Sequence, residues 1–129
     1  MDILIIDKHN KQILRPMSVL YNTNGSLRRI DACKVGDDPL TAGWYSITGE
    51  HLENVKIVRN TGLKDSDGNA IYEGAVLDYK YDECTVSYDE QTASFIAANS
   101  RYLNAPLYVV LARYGDNIKV IGNAFLNEQ

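Results

Sequence analysis

The chain has 129 residues and a mass of 14.5 kDa, with 45% hydrophobic and 23% charged residues, a net charge of −4 and a pI near 5.1. That balance belongs to one ordinary globular domain or two very small ones, and nine Gly with three Pro exclude collagen-like and low-complexity chains. Apolar runs stop at about five residues, far short of the ~20 that a membrane-spanning helix needs.

Charge is unevenly spread. Residues 1–60 carry eight Lys/Arg against seven Asp/Glu, and residues 61–129 carry five against ten. The C-terminal half therefore repels a polyanion, and DNA binding by bulk phosphate neutralisation is disfavoured. Arg28, Arg29 and Lys34 form the one basic cluster, which reads first as a solvated face. The opening Met1–Asp7 has an acid at position 2 and four consecutive apolar residues. It lacks the basic and apolar regions of a signal peptide, so a cytoplasmic location is expected. Cys33 and Cys84 are far apart and have no CxxC partner, which in a reducing compartment suits two buried thiols.

Taken in chain order, β signals dominate. Ile3–Ile6 reads as a strand closed by the polar turn Asp7–Lys11. Gln12–Leu14 and Met17–Tyr21 form a return strand interrupted by Pro16, the mark of an edge or a bulge. Asn22–Gly25 is a hairpin turn, followed by a strand over Ser26–Lys34. After the break at Asp37-Asp38-Pro39, Trp44–Ile47 is again β-rich. Thr48 then caps a short helical turn through Leu52, and Val55–Val58 alternates as a strand. Asp65-Ser-Asp-Gly-Asn69 is a turn in which Asp67-Gly68 favours type I′ geometry. Ala75–Tyr81, Cys84–Tyr88 and Ala93–Ala98 are three further strands. Pro106–Tyr114 reads as a helix, because Leu107, Val110, Leu111 and Tyr114 fall on one face, with Pro106 at its start and Gly115 just past its end. Val109 and Val110 pull toward strand instead. Ile118–Phe125 closes the chain as a strand. The composition shift and Gly62 place a soft boundary near residue 60.

Two segments carry a family resemblance. Thr61-Gly62-Leu63-Lys64-Asp65, with Gly68 and then Ile71-Tyr72-Glu73-Gly74, resembles a block of the YopX family of phage and prophage proteins. Val120-Ile121-Gly122-Asn123 resembles that family's closing motif, and Asp7-Lys8-His9-Asn10-Lys11 is similar to its N-terminal turn. The chain departs from the pattern at Ile6, where the family has Trp, at Ala75, where it has an acid, and over the insert from Tyr21 to Trp44. The resemblance implies a small β-rich protein with a compact barrel in its C-terminal part, and it brings no catalytic residue with it. Independently, Gly62 and Gly74 flank a hairpin whose chain reversals favour positive φ, so the motif residues read as a structural corner.

No reaction centre emerges from the residues. Asp65-x-Asp67-x-Asn69 imitates the start of an EF-hand, but its sixth and twelfth positions are Ala70 and Val76 rather than Gly and Glu. His9 and His51 each stand alone in the sequence, so no zinc motif forms. No histidine is placed by sequence beside Cys84 or a serine for nucleophilic catalysis, and the glycines form neither a P-loop nor GxGxxG. No catalytic residue, metal site or cofactor is therefore expected. Nine tyrosines are many for this length. Tyr79, Tyr81, Tyr88, Tyr102 and Tyr108 crowd the C-terminal half, where they suit a core or an oligomer interface better than a base-stacking face.

The expected fold is mainly β with minor α: a hairpin-rich part over 1–60 leading into a small SH3-like barrel over 61–129, the two being one continuous fold. The expected function is that of a non-enzymatic phage or prophage accessory protein acting by protein–protein interaction or self-assembly, with a phage or host protein as partner. The alternative is a nucleic-acid-associated phage factor, in which Arg28, Arg29 and Lys34 meet the backbone while tyrosines stack bases. Because Ile3–Ile6 is apolar on both faces, a homo-oligomer with residues 1–21 in the contact is expected.

Overall fold

The computed structural model describes residues 3–38, 40–41, 43–79 and 82–127. They form two compact units, one of residues 3–58 with 125–127 and one of residues 59–124. The chain is mainly β, with two antiparallel sheets and one short α-helix. None of its described helices is long and apolar enough to cross a membrane.

The first unit is built from β1 (Ile3–Asp7), β2 (Gln12–Tyr21), β3 (Leu27–Lys34), β4 (Tyr45–Thr48), a 3-10 helix at Gly49–Asn54 and the start of β5 (Val55–Lys64). The strands lie in the order β4-β3-β2-β1-β5. Ile5, Leu14, Ile30, Ala32 and Ile47 make the core, with Val19, Leu27, Leu52, Val55 and Ile57 packed against it. Burying both sides of β1 explains its unbroken apolar run, since a central strand has no wet face to mark. The expectation that a second copy is needed to cover Ile3–Ile6 is thereby corrected. β1 lies between β2 and β5, and Ile5 and Ile6 are fully buried within one chain.

Pro16 does not interrupt β2, which runs unbroken between β1 and β3. The register shifts between Pro16 and Ser18, so the proline sits at a bulge, where the missing N–H costs the ladder least. Thr48 precedes the 3-10 helix, yet its side chain makes no capping bond.

In the second unit the chain continues along β5 into β6 (Ala70–Tyr72), β7 (Ala75–Tyr79), β8 (Asp82–Asp89), β9 (Ser94–Ala98), β10 (Asn104–Pro106), α1 (Leu107–Tyr114) and β11 (Lys119–Asn123). Five strands form an antiparallel sheet in the order β10-β9-β8-β7-β11. Alternation sets its faces: Leu77 and Tyr79 point inward around exposed Asp78, and Cys84 and Val86 are buried between exposed Glu83 and Ser87. On α1, Leu107 and Val110 are buried, and Leu111 and Tyr114 pack against the same core. The helical stripe therefore outweighs the strand preference of the two valines, because it packs four apolar side chains against one core.

Several boundaries differ from the sequence reading. β7 is described to Tyr79, with Lys80 and Tyr81 outside the described residues. Ala93 adopts a positive φ of 52° and belongs to the turn, so β9 starts at Ser94. The closing strand stops at Asn123, and residues 124–127 turn into a 3-10 helix. Its end is set by two bonds back to the Glu73-Gly74 corner: Asn123 Nδ2 donates to Glu73 O at 3.1 Å, and Ala124 N to Gly74 O at 2.7 Å. β6 and β10 have three residues each, too short for periodicity to reveal.

The two hairpin tips share one geometry. In each, the carbonyl of an Asx residue accepts the N–H of a glycine three positions on (Asn22 from Gly25, 3.0 Å; Asp65 from Gly68, 3.1 Å). The Asx N–H then donates one residue further along, to Ser26 O or Asn69 O. Only the glycines take positive φ, 90° and 84°. A type I′ turn requires positive φ at both central residues, and Asp67 does not have it, so the type I′ expectation at Asp67-Gly68 is corrected to a longer loop. The reason lies in Asp65, whose side chain organises that loop.

Candidate functional site

The motif residues converge on Asp65, which is 8% exposed. Its Oδ1 accepts the N–H groups of Asp67 (3.0 Å) and Asn69 (2.8 Å), and its Oδ2 accepts Asn69 Nδ2 (3.4 Å) and Val120 N (3.1 Å). Burial pushes this carboxyl up, but the bonds from Val120, Asn69 and Asp67 outweigh it and hold the group below the ordinary aspartate value. Ser66 adds two bonds to Ile118 O, from its N–H at 2.9 Å and its hydroxyl at 2.6 Å. The two motif blocks, 52 to 55 residues apart along these bonds, are thus tied side by side.

The rest of the motif lines the same corner. Thr61 Oγ1 donates to Ile71 O at 2.7 Å, and Asn60 Oδ1 accepts Gly62 N at 2.8 Å. Ile71 is fully buried, and Leu63 packs against the same core. Gly74 has φ of 86°; its N–H donates to Val86 O and its carbonyl accepts from Ala124. Lys64 and Tyr72 lie on β5 and β6, and Ile121 and Gly122 lie on the exposed side of β11. Glu73 forms a forked pair with Arg59, at 3.2 and 3.3 Å. The Arg59 guanidinium also stacks 4.1 Å from the Tyr88 ring centroid.

A second feature was invisible in the sequence. His9 and His51, which stand alone along the chain, line one cleft of about 130 Å³ in the first unit. Asp7, Asn10 and Gln12 come to it from the β1–β2 turn, Tyr45, Ser46 and Ile47 from β4, and Asn54 from the 3-10 helix. Asp7 is buried and saturated. Its Oδ1 accepts His9 N and Asn10 N at 3.2 Å each, and its Oδ2 accepts Asn10 Nδ2 at 2.9 Å and Gln12 Nε2 at 3.2 Å. Burial raises the Asp7 pKa, and the bonds from Asn10, Gln12 and His9 together bring it below the ordinary value. Among the described residues, no three His, Cys, Asp or Glu side chains gather as a metal site.

The basic cluster does not form one surface. Arg29 and Lys34 are five residues apart on β3 and so point to opposite faces, while Arg28 is the extra residue where the β2–β3 register shifts. Arg29 is also engaged, with Nε donating to Asp31 Oδ1 at 2.9 Å and Nη2 to Ser46 Oγ at 3.2 Å. The tyrosines are equally dispersed. Tyr79 is buried and stacks on Tyr114 at 5.2 Å, Tyr88 lies under Arg59, Tyr102 and Tyr108 are exposed, and Tyr81 falls outside the described residues.

Both cysteines are buried free thiols. Burial, aided by Asp82, pushes the Cys84 thiol up to about 11.

Comparison with known proteins places this geometry. No curated protein matches the chain significantly. The fold is similar to a crystal structure of protein EF1440 from Enterococcus faecalis, with a TM-score of 0.61 and 22% identity, covering 98% of this chain and 94% of that one. The family model described as YopX protein matches residues 6–129, taking in the N-terminal turn, the Asp65 corner and the closing strand. The chain belongs to the YopX family.

Proposed function

We propose that this protein is a non-enzymatic accessory protein of phages or prophages, working in the host cytoplasm through protein–protein contact or self-assembly. One observation carries the reading. In the first unit, Leu20, Tyr21, Val35, Leu40, Trp44 and Tyr45 all expose large apolar side chains, Leu40 at 93%. Exposed apolar side chains such as these, four of the six falling within residues 35–45, are what a partner covers. In this reading the oligomer contact involves the segment leading into β4 rather than β1. The second unit serves as a rigid platform of SH3-like design, and its motif polar groups are spent on internal bonds rather than aimed at a ligand.

Chromatography with light scattering at tens of micromolar tests the self-assembly arm, for which a mass above 14.5 kDa is expected. A monomer would end that arm and leave a foreign partner, to be sought by crosslinking in the infected or lysogenic host. Arg28, Arg29 and Lys34 support the nucleic-acid reading poorly, because they are split between faces and one is paired.

A further inference from the structure

β4 is the outermost strand of its sheet, paired on one side with β3 over Arg29↔Thr48 to Ala32↔Tyr45. No second strand pairs with its other side among the described residues. Such an edge presents a row of unpaired N–H and C=O groups. The His9–His51 cleft touches Tyr45, Ser46 and Ile47 in succession. Tyr45 and Ile47 share the face of Ala32 and Ile30, and Asp7 and Gln12 that of Ile5 and Leu14. The cleft therefore lies over the core-side face of the sheet and reaches β4, where a side chain of a strand added at its edge can enter it.

Beside β4, His9, His51 and Asn54 line the cleft. None of them makes a side-chain hydrogen bond among the described residues. Asp7, the one carboxylate lining the cleft among the described residues, has both oxygens turned to the Asn10, Gln12 and His9 donors, so it does not recruit a cation. Among the described residues no Lys or Arg lines the space, which removes the usual means of holding a phosphate. What remains is a row of backbone partners beside a small polar recess. Its volume of about 130 Å³ is on the order of one amino-acid residue.

We propose that β4 accepts an extended peptide segment of a partner protein as an added strand, with one polar side chain of that segment seated in the His9–His51 cleft. Main-chain bonds to Tyr45–Thr48 supply affinity, and the recess selects the side chain, which is the division of labour of strand addition. A neutral amide or hydroxyl side chain fits the lining, because the imidazoles and the Asn54 amide both donate and accept. This inference rests on the protein-contact reading above and names where, and by what chemistry, contact is made.

The test pans a display library of random nonapeptides against the full chain, then follows amide hydrogen exchange with the enriched synthetic peptide. An enriched sequence with a polar side chain at one fixed position is expected, together with slowed exchange at Tyr45–Thr48. His51→Ala and Asn54→Ala, both at exposed positions, are expected to weaken its binding at least tenfold, and Tyr108→Ala in the second unit to leave it unchanged. Failure to enrich any peptide overturns the proposal, as does protection confined to other strands or unaltered binding by both variants. Protection of β4 that rises with protein concentration and without peptide gives the edge to a second copy, which also overturns it. Light scattering on the same samples separates the two levels. A mass above that of the monomer with no peptide enriched removes the edge site and leaves the protein-contact function standing.

Discussion

Replacing Asp65 with alanine removes the acceptor for four N–H groups: the backbone amides of Asp67, Asn69 and Val120 and the Asn69 side chain. The losses are unequal. Asp67 and Asn69 are exposed, so water replaces the carboxylate there, and each bond contributes roughly 0.5–1 kcal/mol net. Val120 N lies in a half-buried position under the loop, where an unpaired donor costs about 1–3 kcal/mol. Together the substitution is expected to destabilise the fold by about 3 kcal/mol. At ~2.1 cal/mol/K of unfolding entropy per residue, that lowers the melting midpoint by about 11 °C for a chain of this size. Asp65→Asn keeps the shape and one acceptor oxygen, and is expected to lose about half as much.

Calorimetry and urea unfolding measure both variants, and pH adds an independent reading. The Asp65 pKa is lowered in the folded state from an ordinary 3.8. Its contribution is therefore complete above that value and fades as pH falls through the folded pKa. The alanine variant should lose that part of the acid-induced destabilisation, keeping the shares due to Asp7 and Asp31. An alanine variant within about 0.5 kcal/mol of the parent, which is the range of ordinary surface substitutions, would refute the idea that Asp65 ties the two motif blocks together.

Gly74→Val places a β-branched side chain at φ of 86° in a buried corner. A loss of at least ~2 kcal/mol is expected, read as lower soluble yield and a lower melting midpoint. Neither Cys33 nor Cys84 should react with an aromatic disulfide reagent at pH 8 in the native protein, since both are buried and the Cys84 thiol is held at about 11; both should react at once in denaturant. Short single-stranded and duplex DNA should show no binding at low salt, whereas affinity that falls steeply as salt rises would revive the nucleic-acid reading.

Much of this fold was legible because local chemistry dictated it. The Asn24-Gly25 and Asp67-Gly68 tips announce hairpins, though not the loop geometry of the second, the Leu107–Tyr114 stripe announces its helix, and alternation along β7 and β8 marks an inner and an outer face. Each of these signals comes from residues within a few positions of one another, where propensity and periodicity act directly. The family motif was legible as well, but its cause was not. Asp65 looks like part of a solvent-facing turn until Val120, 55 residues away, is folded against it and its carboxylate becomes a buried acceptor. The same limit hid the cleft: His9 and His51 are separated by most of the first unit's sheet, and only strand pairing brings the β1–β2 turn, β4 and the 3-10 helix around one space. Pairing also reversed the expectation for Ile3–Ile6, since an apolar run on both faces is equally the mark of a central strand and of an uncovered one. Neighbouring residues determine turns and faces through their own sterics and solvation. Which strand lies beside which is decided by contacts between distant residues, and from that choice come the buried carboxylate, the open β4 edge and the cleft beside β4.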